Sequence, residues 1–141
     1  MNLVSRKHAI NFSELILKNQ MGLGEIEKLS LFYIIAGNED LFSKKDYIYD
    51  FENGEIKPEV LTDKKIDLCS SSKALIRLGF NLFNGYEDKH TNPIGIFNKL
   101  DKINLQVAQN AIGMRLDEEF QLPNQEVSNE EDEIEEYEYE R

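Results

Sequence analysis

The densest run of chemically capable side chains lies between Lys64 and Arg77, where Lys64-Lys65 precede Asp67-Leu68-Cys69-Ser70-Ser71-Ser72 and Arg77 follows. A serine cluster ahead of an apolar periodic stretch reads as a helix start, because a hydroxyl there accepts from a backbone N–H that the helix leaves unpaired. Free N–H groups, the positive end of the helix dipole and nearby bases suit a phosphate or carboxylate. Lys65, Ser70, Ser71, Ser72 and Arg77 are therefore the anion-binding candidates. The simpler alternative is that one serine caps and the others face water. Neither a nucleotide-binding P-loop nor a dinucleotide fingerprint accompanies them.

Cys69 would be a nucleophile if an imidazole approached it. His8 and His90 are the two histidines, and no spacing brings either near, so Cys69 reads as a small buried apolar residue. Glu87, Asp88 and His90 share a polar loop but lack the second histidine or thiolate that a metal site needs. The pairs Glu39-Asp40 and Asp46-Asp50 stand near Lys44 and Lys45 and read as solvated faces. No catalytic residue, metal or cofactor is assigned, and the chain is read as non-enzymatic.

Aromatic side chains carry more information. They crowd a small body, and Tyr47, Tyr49, Phe51 and Tyr86 are expected at the rim of an exposed patch that docks a protein partner, since aromatics supply most interface binding energy. The alternative places them in the core with their hydroxyls at the surface.

Periodicity supplies the elements that position these groups. Ser5 caps a helix to Asn19 that places His8, Phe12, Leu15 and Ile16 on one face; a second, most buried helix runs from Glu25 through Ala36 and stops at Gly37. Asn38 caps a turn through Leu41 and Phe42. Ser43-Lys44-Lys45-Asp46 has the capping-box form and favours helix next, whereas the alternation of Tyr47, Tyr49 and Phe51 with Asn53-Gly54 favours a hairpin that Pro58 would weaken. Residues 55–68 read as an arm crossing the surface. A helix from Lys73 to Phe83, closed by Asn84-Gly85, carries the stripe Leu75, Leu78, Leu82. Asn92-Pro93 opens a short helix, and Asp101 caps a last one to Leu116 that turns Ile103, Val107, Ala108, Ala111 and Ile112 inward. The expected fold is an all-α, compact single-domain bundle of about five or six short helices over residues 1–116.

Charge separates the remainder. The 27 acidic residues divide into 15 in 1–116 and 12 in 117–141, and the 16 basic ones into 15 and one, so the body is neutral and the tail carries the whole −11. Like charge with little apolar content predicts disorder there. A neutral body with a negative arm argues against direct nucleic-acid binding. One cysteine indicates a reducing compartment, and the longest purely apolar run, Leu31 to Ala36, is far short of the roughly 20 residues a bilayer span needs, so a cytoplasmic location without membrane contact is expected.

The stretches Leu31 to Leu41, Lys45 to Phe51 and Leu68 to Tyr86 resemble an uncharacterised small domain family encoded by low-GC Gram-positive bacteria and their phages or mobile elements, over roughly residues 25–116. The resemblance implies no catalytic motif and no activity. It implies a setting in which small proteins serve as partners or modulators in phage and host conflict; the acidic tail departs from the family pattern. The function expected is a non-enzymatic interaction module acting on a host or phage protein. One alternative is nucleic-acid mimicry by the tail, with Tyr137 and Tyr139 stacking as bases do in the groove of a nucleic-acid-binding enzyme. The other is a binder of a small phosphate-bearing ligand at Lys65, Ser70 to Ser72 and Arg77.

Overall fold

In the computed structural model, which describes residues 3–19 and 25–121 with side chains through Leu116, Ser5 starts the first helix. Its hydroxyl accepts from the His8 N–H at 3.0 Å, and α1 then spans Arg6–Asn19 with His8, Phe12 and Leu15 buried. Helix α2, Ile26–Ala36, is apolar nearly all round, and Leu31 to Ile35 are wholly buried. A helix with no polar face must be enclosed, and α1 and two later helices pack around it.

Asn38 closes the next turn as expected, its side chain accepting from the Leu41 N–H at 2.9 Å to start α3, Glu39–Ser43. The capping box does not form. Ser43 Oγ donates back to the Asp40 carbonyl, and Lys44 occupies the cap position of the short α4, Lys45–Ile48. The hairpin follows: β1, Tyr49–Asp50, pairs antiparallel with β2, Glu55–Ile56, with Tyr49 opposite Ile56. Asp50 builds the turn by accepting from the N–H groups of Glu52 and Asn53, and Gly54 takes φ +71°. The helical and hairpin expectations for this stretch are thus each realised in part.

Pro58 ends the second strand by opening a 3₁₀ helix, Pro58–Leu61, whose Val60 and Leu61 enter the core. Residues 55–68 are therefore not merely a surface arm. Helix α5, Ser70–Asn84, lies against α2 along Gly79, and Gly85 ends it in the left-handed region at φ +82°. Asn92 caps α6, Pro93–Phe97, by accepting from the Gly95 N–H at 2.8 Å.

Asp101 caps α7, Lys102–Gln121, accepting from the Asn104 N–H at 2.8 Å. Two expectations are corrected here. Ile103 is 66 % exposed, because Asn104, buried and bonded to Asn38 at 3.0 Å, takes the inward position instead. The helix also continues past Leu116 to Gln121. The disorder expected of the acidic tail concerns residues that from 122 onward lie outside the described ones. Among the described residues the fold is all-α, seven α-helices of which α1, α3, α5 and α7 pack on α2, with one two-stranded hairpin, and no helix is long and apolar enough to cross a membrane.

Candidate functional site

The start of α5 is not vacant for an anion. Asp40 on α3 reaches it: its Oδ2 lies 3.4 Å from the Cys69 N–H, and its Oδ1 accepts from Lys44 Nζ at 2.6 Å. Burial opposes the charge, but hydrogen bonds from Lys44, Ser72 and the Cys69 amide outweigh it and hold the Asp40 carboxyl below its ordinary range. The chain's own carboxylate thus serves the dipole that the sequence offered to a ligand.

The serines separate accordingly. Cys69, not a serine, is the cap residue. Ser72 is buried and reaches Asn38; Ser71 and Ser72 place their hydroxyls 3.3 and 3.2 Å from Cys69 Sγ. The bond with Ser71, then that with Ser72, lowers the thiol's pKa. Cys69 is exposed, contrary to expectation, and its side-chain partners are these two hydroxyls rather than an imidazole. Lys65 is exposed, and its backbone N–H turns toward Asp63. Of the five anion candidates, Ser70 and Arg77 share a site; Lys65, Ser71 and Ser72 do not join it.

That site is a recess of about 650 Å³ beside α5. Ser70, Lys73 and Arg77 are spaced by three and four residues, one face of the helix, and Thr62 faces them from the end of the 3₁₀ helix. The left-handed turn at Gly85 brings the following loop back so that Tyr86, Asp88, Lys89 and His90 form the far wall, with Lys99 completing it after α6. Four permanent cations surround one carboxylate.

Asp88 organises the loop. Its Oδ2 accepts from Arg77 Nε at 2.9 Å and from the Tyr86 hydroxyl at 3.1 Å; its Oδ1 accepts from the His90 N–H at 2.9 Å and the Thr91 hydroxyl at 3.0 Å. Partial burial works against ionisation, yet the bonds from Arg77, the His90 amide and Thr91, with the Arg77 charge, hold the carboxyl at about 2. Arg77 is 9 % exposed and is engaged through Nε. Its two terminal nitrogens bond to nothing among the described residues and are not enclosed, and the residue lines the recess. Lys73, Lys89 and Lys99 form no ion pair among the described residues.

The aromatic set does not make a patch. Tyr49 is 1 % exposed, and its ring meets Phe32 at 5.3 Å, Phe51 at 5.0 Å and Phe83 at 5.9 Å between centroids. It belongs to the core and is unavailable to a partner. Phe51 is half-buried in the same cluster with Lys18 over its ring. Tyr47 is exposed on α4, while Tyr86 stands apart in the recess wall, edge-on to Phe80. Tyr137 and Tyr139 lie outside the described residues.

Lys73, Lys89, Lys99 and Thr62 were not anticipated. Lys73 had a signal in its helical spacing from Ser70 and Arg77. Lys89 and Lys99 arrive through loop returns that no local pattern announces.

Comparison with known proteins adds one finding. Residues 1–128 match a family described as a family of unknown function, DUF6075. No curated protein and no solved structure matches the chain.

Proposed function

The chain belongs to the DUF6075 family of unknown function, and we propose that its recess beside α5 is the binding site of a phosphate-bearing ligand in a non-enzymatic, cytoplasmic protein. The observation that carries this reading is Arg77: an arginine nine-tenths buried as a residue, fixed through Nε by Asp88, with its terminal nitrogens unspent in a recess that three lysines without ion pairs also line. A guanidinium edge held rigid costs little to order when an anion arrives, and clustered cations favour a dianion over a single carboxylate.

Titration of the full chain with pyrophosphate tests it. A ligand at 100 times its dissociation constant should stabilise by about 2.7 kcal/mol. The K89E/K99E double variant, changed at two exposed positions, should keep the fold and lose that shift. Absence of a shift in the unaltered protein would reject the recess as an anion site.

A second reading retains the protein-interaction role, with a phage or mobile-element setting taken from the family resemblance. It is favoured by α1, where Ile10 and Leu17, seven residues apart on one face, are 56 % and 76 % exposed. Changing both to Ser should abolish co-purification of a partner while leaving helicity intact; an unchanged set of co-purifying proteins would remove this reading. Tail mimicry of nucleic acid rests on the charge of residues 117–141 and is tested by neutralising that segment alone.

A further inference from the structure

Tyr86 stands between two recesses of different chemistry. It lines both the basic recess and a shallow, open depression of about 560 Å³ that Glu55, Ile56, Pro58, Phe83 and Asn84 share with the backbone at Gly54 and Gly85. The lining of this depression includes no lysine or arginine, and Glu55 is part of it. An anion is therefore repelled from the second cavity and drawn to the first. The apolar part of a ligand has the opposite preference.

The dividing residue is held in place on three counts. The Tyr86 hydroxyl donates to Asp88 at 3.1 Å, its carbonyl accepts from Asn81 Nδ2 at 3.0 Å, and its ring lies edge-on to Phe80 with centroids 5.8 Å apart. Beside it the backbone at Gly85 borders open space: a Cβ there would meet nothing within 4 Å. Phe83, Tyr86 and Pro58 bring three ring side chains to the second depression, a composition that suits a planar apolar group.

We propose that the ligand is an organic phosphate bearing an aromatic or similarly flat apolar group, the phosphate lying against Arg77 and the lysines and the flat group passing Tyr86 toward Phe83 and Ile56. This rests on the reading of the basic recess given above and adds the class of compound it serves. Both cavities are within the range of small-molecule sites, about 300–1,000 Å³.

The test compares methyl phosphate with phenyl phosphate on the full chain by calorimetry at constant ionic strength. Phenyl phosphate should bind about tenfold more tightly, the gain expected from burying much of one ring. Ile56→Glu should erase that advantage and leave methyl phosphate within about twofold, whereas K89E/K99E should weaken both compounds. In the unaltered protein, transferred Overhauser contacts should link the phenyl protons to the rings of Tyr86 and Phe83, which gives an answer even if Ile56→Glu fails to fold. Equal affinities for the two phosphates would overturn the second subsite and leave the anion site standing. Failure of both to bind would overturn the anion site and this proposal with it.

Discussion

Arg77 Nε donates to Asp88 Oδ2 at 2.9 Å, tying the middle of α5 to the loop that the Gly85 turn sends back across it. The bond engages Nε and leaves the two terminal nitrogens without a partner among the described residues. Because Asp88 also receives Tyr86, Thr91 and the His90 amide, one carboxylate sets both the loop path and the arginine rotamer. Binding capacity and local stability therefore share a single residue.

Asp88→Asn should lower stability by about 1–3 kcal/mol, the range for losing a charge-assisted bond at a partly buried site. The pH dependence follows from the depressed pKa. Asp88 is held at about 2 against an ordinary 3.8, so its contribution is complete above about 3.8 and is lost as pH falls through about 2. Urea midpoints of the two proteins should differ at pH 5 and converge toward pH 2. A gap that stays constant over that range would show that charge is not what the pair contributes.

His8 also loses its contribution on acidification, but because the fold holds it neutral rather than charged. Its Nε2 lies 2.9 Å from the Tyr33 carbonyl and its Nδ1 accepts from the Val4 N–H at 3.2 Å, which requires the neutral ring with the proton on Nε2. Burial lowers its pKa from 6.5, only partly offset by the bond to Tyr33. Between the folded pKa and 6.5 the unfolded chain binds more protons, so this contribution is complete above 6.5 and declines as pH falls below it. His8→Gln should lose less stability than the parent between pH 7.5 and 5.5. Lys7, Lys102 and Glu39 line the adjoining groove and are common to both proteins, so the difference in slope belongs to His8.

What the sequence disclosed was local. Ser5, Asn38, Asn92 and Asp101 act as caps because capping is decided within three residues, and the apolar run of α2 announced its own burial. The anion site was legible in half: Ser70 and Arg77 share a helical face, but Lys89 and Lys99 reach them only through tertiary folding. Asp40 displaced the expected ligand at the start of α5 from a helix some thirty residues away, an event invisible to spacing. Tyr49 was misplaced because alternation shows that a strand has two faces and not which one faces the core.

Tyr49→Phe should be neutral or stabilising by up to about 1 kcal/mol. Its hydroxyl is buried with no hydrogen-bond partner among the described residues, so the native side chain carries an uncompensated desolvation cost. The same burial, with the charges of Glu25 and Asp50, pushes its pKa up to about 12. Thermal melts at neutral pH check the substitution; a loss above about 1 kcal/mol would mean that the hydroxyl is satisfied in solution.

One substitution made at two glycines separates packing from helix propensity. In both α5 and α7 the change to Ala gains about 1 kcal/mol of propensity. At Gly113 an added Cβ meets nothing within 4 Å, so Gly113→Ala should stabilise by about 0.5–1 kcal/mol. At Gly79 it would lie 3.1 Å from Leu31 Cδ1, 3.4 Å from Ile76 Cδ1 and 3.5 Å from Ile34 Cδ1. Leu31 and Ile34 are wholly buried on α2, so the added methyl presses on the packed seam between α2 and α5 and not on a side chain that can move out into solvent. Overpacking of this kind costs about 1–3 kcal/mol and exceeds the propensity gain. Gly79→Ala should therefore destabilise while Gly113→Ala stabilises, measured by urea midpoint at equal m-value. Stabilisation at both positions would show that the contact between α2 and α5 is looser than the packed core requires.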